Sequence, residues 1–170
     1  MIEMKVMGIA LDVRTNSPIV VLHDLDNRKA LPIWIGSAEA SAIIRKIENI
    51  PSTRPMTHDL FIQISEKSGY EISRVEINDV DDSTYFACVY MFNSDLNKEI
   101  EIDSRPSDAI AIALRADVPI FVTTNVLATG LVSTDVEKDE QEAAEFKNFI
   151  QDIKPSDFEK LLKKNFESDQ

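Results

Sequence analysis

Two short polar clusters carry the residue types and spacings that suit chemistry. The first is Arg54-Pro55-Met56-Thr57-His58-Asp59. A histidine exchanges a proton near neutral pH without a shifted pKa, and a carboxylate beside it can orient a water or hold a metal. The second is Asp103-Ser104-Arg105-Pro106-Ser107-Asp108. It gathers two carboxylates, a guanidinium and two hydroxyls around what reads as one helix start. The carboxylates suit a divalent cation and the arginine a phosphate, the division of labour used in phosphoryl chemistry. Both clusters also have a plain structural reading. Thr57 caps a helix, Asp59 complements its dipole and His58 is an exposed first-turn residue, while the second cluster is a cap with an Asp–Arg ion pair. The common alternatives are missing: with only four glycines, the chain has no glycine-flanked serine elbow, phosphate-binding loop or dinucleotide fingerprint.

The elements that must position these clusters follow an internal repeat. Ile33-Trp34-Ile35-Gly36-Ser37 aligns with Ile100-Glu101-Ile102-Asp103-Ser104 at a shift of 67 residues, and Ala42-Ile43 aligns with Ala109-Ile110 at the same shift. Each half reads as three strands and a helix. The strands are Lys5–Val13, Pro18–Leu22 and Lys29–Ile35 in the first half, and Tyr70–Asn78, Tyr85–Phe92 and Lys98–Ile102 in the second. The Ser37 hydroxyl is expected to cap the first helix, which runs to about Asn49, ahead of Ile50-Pro51. The second helix is expected to start at Asp103 or Ser104, with Pro106 in its first turn, and the apolar run Ala109–Leu114 predicts burial on every side. A helix between the halves begins near Thr57 and ends at Gly69, where glycine takes the left-handed cap conformation. At the repeat-equivalent positions Gly36, Ala38 and Ser41 replace Asp103, Arg105 and Asp108. A helix can therefore start there without those charges, which implies that they serve something beyond a cap.

Pro119–Thr123 reads as a short buried strand and Asn125–Ser133 as a turn or short helix. Asp135–Glu145 is an acidic connection into helices bearing Phe146, Phe149, Ile150 and Ile153, then Phe158, Leu161 and Leu162. The chain is thus α+β: a body over residues 1–134 built from two βββα repeats (about 4–50 and 70–118), and an acidic linker and helical tail over 135–170 that packs on the body or a partner.

At 170 residues, 44% hydrophobic and 28% charged, the chain is neither disordered nor fibrous. No apolar run approaches the roughly 20 residues of a membrane span, and the N-terminus lacks the order of a signal peptide, so a cytoplasmic location is expected. The single Cys88 rules out an internal disulfide and a zinc site of several thiolates; it reads as a buried, inert thiol. A formal charge of −12 repels phosphate backbones at long range, so recognition of a polyanion must be local. The tail is not the sole source of that charge, since Asp135 onward holds 11 acidic and 6 basic residues. Among weaker candidates, His23 beside Asp24 reads as a strand-end residue and Glu39 as first-turn complementation of a helix. Trp34, between Ile33 and Ile35, faces the opposite side of its strand and reads as core or interface packing rather than a base-stacking surface.

Taken together, Leu31-Pro32-Ile33-Trp34-Ile35-Gly36 with Glu39-Ala40, Arg54-Pro55-Met56-Thr57-His58-Asp59-Leu60, and Ile102-Asp103-Ser104-Arg105-Pro106-Ser107-Asp108-Ala109-Ile110 resemble the bifunctional nuclease domain family, small bacterial proteins with plant relatives. The likeness covers about residues 4–160. It implies a compact α+β fold with a mixed sheet, and nuclease activity on RNA and DNA. Carried onto this sequence it points to Arg54, His58, Asp59, Asp103, Arg105 and Asp108. In the roles we assign on that basis, His58 is the general base or acid. Asp103 and Asp108, with Asp59, hold a divalent cation, magnesium or manganese, that activates water. Arg105 and Arg54, with the hydroxyls of Ser104 and Ser107, grip phosphate oxygens. The competing reading is a non-catalytic binding or regulatory module acting through protein–protein association, which the net charge favours. Homo-oligomerisation, as a dimer through tail helices or strand edges, fits either reading.

Overall fold

In the computed structural model, which describes residues 1–26, 29–130 and 132–133, the β-branched runs of the sequence pair into one eight-stranded sheet. The strands are β1 (Ile2–Leu11), β2 (Pro18–Asp24), β3 (Lys29–Trp34), β4 (Glu71–Asp81), β5 (Thr84–Asn93), β6 (Lys98–Ser104), β7 (Ile120–Val122) and β8 (Val132–Ser133). Their spatial order is β6-β5-β4-β7-β1-β2-β3-β8. Every neighbouring pair is antiparallel except β4 and β7, which run parallel and make the sheet mixed. Strands β4 and β5 extend beyond their expected ends because Asp82 and Ser83, at φ 42° and 65°, close a two-residue hairpin. Two successive positive φ values match the right-handed twist of the flanking strands. The tail helices expected after Asp135 lie outside the described residues.

Four helices accompany the sheet: α1 (Ser37–Ile47), α2 (Thr57–Lys67), α3 (Pro106–Ala116) and α4 (Thr124–Gly130). The apolar run in α3 is buried from Ala109 to Ala113, with Leu114 half-buried, and the helix packs against α1, α2, β4 and β5. Its Ile110 joins Leu22, Leu31, Ile43, Val75, Ile77 and Val89 in the main core. Each such side chain contributes about 1.5–3 kcal/mol by leaving water. No described helix is long and apolar enough to cross a membrane.

The helix ends set the geometry of the candidate site. Helix α2 stops where expected: Gly69, at φ 79°, donates to Glu66 O, and Tyr70 donates to Ser65 O, closing a left-handed cap. Asn49, at φ 52°, ends α1 in the same way, through Asn49 N to Lys46 O and Ile50 N to Arg45 O. The helix starts differ from expectation. Ser37 is the first helical residue of α1 and caps nothing; the N-cap is Gly36, over which the Glu39 carboxylate folds so closely that a Cβ at Gly36 would collide with it. The N-cap of α2 is Met56, not Thr57, and its N–H donates to Asp59 Oδ2 at 2.8 Å. Helix α3 begins at Pro106, not at Asp103 or Ser104, because those two residues are drawn into the ladder opposite Cys88 and Ala87. The starts of α1 and α3, Ser37 and Pro106, are 69 residues apart rather than 67. In helix register the counterpart of Asp108 is therefore Glu39, and α1 does carry an acidic residue at the equivalent position.

Candidate functional site

Each of α1, α2 and α3 has an acidic residue third in the helix: Glu39, Asp59 and Asp108. There a carboxylate meets free backbone N–H groups and the positive end of the helix dipole. All three carboxylates are tied across to a neighbouring helix. The first turn of α2 lies against α3, with His58 reaching Asp108 and Asp59 reaching Arg115. Those two anchors are two helical turns apart on α3, about 10 Å along its axis.

The structure thereby joins the two sequence clusters through one histidine. His58 Nε2 lies 3.3 Å from Asp108 Oδ1, across 50 residues of chain. Arg105 Nε donates to Asp108 Oδ2 at 2.7 Å, and Arg105 Nη1 donates to Glu39 Oε1 at 2.9 Å. Burial alone raises the Asp108 pKa, but hydrogen bonds from Arg105 and His58 outweigh it and hold the carboxyl below its ordinary range. Arg105, pushed up by Asp108 and then Glu39, stays cationic. Its side chain is 65% exposed, whereas that of His58 is 14% exposed. His58 Nδ1 is buried and has no hydrogen-bond partner among the described residues. With Nε2–H donated to Asp108, the neutral ring keeps the Nδ1 lone pair for a proton. A buried polar atom left unpaired is costly, which marks this nitrogen out from a packed structural histidine.

Other sequence candidates lie elsewhere. Asp59 accepts from Arg115 Nε at 2.9 Å, and Arg115 also donates to Ala111 O and Ala42 O, so this pair binds three helices together. Asp103 stands opposite Cys88, on the sheet face that carries Glu101 and Glu76. Cys88 is buried, and burial followed by Glu101 pushes its thiol up to about 11, as an inert thiol requires. Both Asp108 oxygens are engaged, by His58 and Arg105, and no three metal-ligating side chains converge among the described residues. Ser104 Oγ donates to the adjacent Arg105 O, and Ser107 is buried.

Two clefts flank the cluster. One, of about 590 Å³, is lined by Arg45, Lys46, Arg54, Met56, Asp59 and Arg115 among others. Arg45 holds its rim by donating to Pro51 O and Ser52 Oγ. Lys46 and Arg54 are exposed and make no ion pair among the described residues, so Arg54 lies with Lys46 rather than beside His58. The other cleft, of about 480 Å³, is bounded by Trp34, Gly36, Tyr85, Glu39, Arg105 and Ser107 among others. Trp34 is 54% exposed there, so of its two expected roles, core or interface packing, the core one does not hold. Glu39, Lys46 and Arg115 escaped the sequence reading as site-forming residues. Aligning helix starts instead of strand residues would have singled out Glu39, whereas nothing local marks Lys46 or Arg115.

The sequence model of a family described as "Bifunctional nuclease domain" matches residues 20–135. An uncharacterised protein of Mycobacterium tuberculosis is 36% identical over 165 residues, covering 92% of this chain and 97% of the relative. "Bifunctional nuclease 2" of Oryza sativa subsp. japonica is 34% identical over 107 residues, covering 62% of this chain and 33% of that protein. "Bifunctional nuclease 2" of Arabidopsis thaliana is 31% identical over 108 residues, covering 63% and 33%. The plant relatives are thus matched over about a third of their length.

Proposed function

The chain belongs to the bifunctional nuclease domain family, and from that premise we propose that it is a nuclease hydrolysing phosphodiester bonds of RNA and DNA at His58, Asp108 and Arg105. The observation that carries this reading is His58 Nε2 at 3.3 Å from Asp108 Oδ1, with Nδ1 buried and unpaired. Asp108 orients the ring and stabilises its imidazolium form, so that His58 serves as the general acid or base. Arg105 remains charged beside its two carboxylates and presents guanidinium N–H groups to the non-bridging oxygens, where charge grows in the transition state. Glu39 positions Arg105 from the opposite side. Lys46 and Arg54 hold a flanking phosphate in the larger cleft, a local attraction within a chain of charge −12. Both Asp108 oxygens are engaged by His58 and Arg105, and no step here is routed through a divalent cation. Asp59 is held by Arg115 and Asp103 lies in the ladder opposite Cys88, and neither is given a step here.

The test is digestion of end-labelled single-stranded RNA and DNA with magnesium, manganese or a chelator, beside His58→Ala with a matched melting curve. The expected result is cleavage of both polymers by the parent chain and a loss of roughly 100-fold or more in the variant. Full activity in the variant refutes the assignment of His58. No cleavage under any condition refutes the nuclease reading and favours the binding module.

A further inference from the structure

Trp34 ends β3, with Ile33 turned into the core and the indole turned out beside Arg105. An indole left 54% exposed on a body that buries Ile33 to 3% forgoes the burial that a large aromatic side chain ordinarily gains. The ring is nevertheless held in place. Its Nε1–H donates to Asp12 Oδ2 at 3.2 Å, and the Asp12 carboxylate is itself fixed by the backbone N–H of Arg14 at 2.9 Å. With that polar edge engaged, only the aromatic face is open to a ligand. The cleft it flanks, about 480 Å³, falls within the range of small-molecule sites, and Arg105 and Glu39 pair on its wall. Ser17, Ser83, Thr84, Tyr85 and Ser107 also line it.

We infer that Trp34 is a stacking platform for the nucleobase next to the phosphate gripped by Arg105. An aromatic face accepts every base because every base has a π-face. Such a platform recognises a single strand without reading its sequence or its sugar, and suits an enzyme acting on both RNA and DNA. A duplex keeps its bases stacked on one another and withholds them, so single strands are the preferred form. The inference rests on the nuclease reading for the identity of the ligand, and its test is a binding measurement that requires no cleavage.

Trp34 is the only tryptophan, so emission excited at the red edge, where tyrosine does not absorb, reports on it alone. The full chain is titrated with a phosphorothioate-linked thymidine hexamer and, separately, with an abasic hexamer of the same backbone. The thymidine hexamer is expected to quench emission saturably and to bind on the order of tenfold more tightly than the abasic one. By anisotropy with labelled hexamers, Trp34→Ala should bind both equally, while Trp34→Phe regains most of the preference. Equal affinity for the two hexamers in the parent chain, a preference that survives Trp34→Ala, or no binding of either hexamer overturns the inference. Cleavage of long RNA together with equal affinity for the two hexamers sinks the platform and leaves the nuclease reading standing; tighter binding of the thymidine hexamer without cleavage of RNA does the reverse.

Discussion

His58 and Asp59 are consecutive in α2 and both engage α3, yet they meet opposite environments. Asp59 faces Arg115, whose side chain is only 7% exposed and whose donors are divided among Asp59, Ala111 O and Ala42 O. His58 faces Asp108, a carboxylate shared with the solvent-facing Arg105, and keeps one ring nitrogen unpaired. One contact closes a network and the other leaves it open. An acidic residue at the same helix position thus serves as a rivet in α2 and as part of an open cluster in α3, and the degree of hydrogen-bond satisfaction distinguishes them.

The largest effect expected from breaking this contrast is on stability. Arg115→Ala leaves the Asp59 carboxylate and the Ala42 carbonyl without their cation, which should cost about 3 kcal/mol in urea unfolding. Asp108→Asn should behave oppositely, losing roughly 100-fold in single-turnover cleavage, at least ten times the loss caused by Asp103→Asn in the same assay. Equal losses would restore Asp103 to the reacting set. Lys46→Gln with Arg54→Gln should weaken binding of single-stranded RNA about tenfold at low salt. It should also lower the slope of log affinity against log salt by about 1.4, the value for two phosphate contacts.

The smallest effect concerns acid. The Asp108 pKa is depressed on folding, so its ion pairs stabilise the fold above the ordinary carboxyl value of 3.8 and are lost as pH falls through the depressed value. With the carboxylate about a third exposed, the contribution is under about 1 kcal/mol. The urea midpoints of the parent chain and Asp108→Asn should therefore converge below pH 4 and separate above it.

Much of this was legible in the sequence. Alternating β-branched runs marked most of the sheet, the apolar run 109–114 marked the buried helix, and Gly69 marked the end of α2. The two clusters were also visible. Their division was not, because whether a carboxylate faces a cation or a histidine depends on how α2 lies across α3, and that is fixed by packing between residues some 50 apart. The cap assignments failed for a related reason. Side-chain hydroxyls at 37, 57 and 104 favour helix starts locally, but the ladder to β5 and the folded-back carboxylates of Glu39 and Asp59 decide where the helices begin.

The most direct test of the contrast is a paired measurement of unfolding free energy and RNA cleavage rate in Asp59→Ala and Asp108→Ala. The expected pattern is crossed: Asp59→Ala unfolds at lower urea but cleaves at near the parental rate while folded, and Asp108→Ala keeps its midpoint at neutral pH within about 1 kcal/mol and loses cleavage. If both variants lose activity in proportion to their loss of stability, or if Asp59→Ala alone abolishes cleavage while remaining folded, the division between rivet and reactive cluster is contradicted.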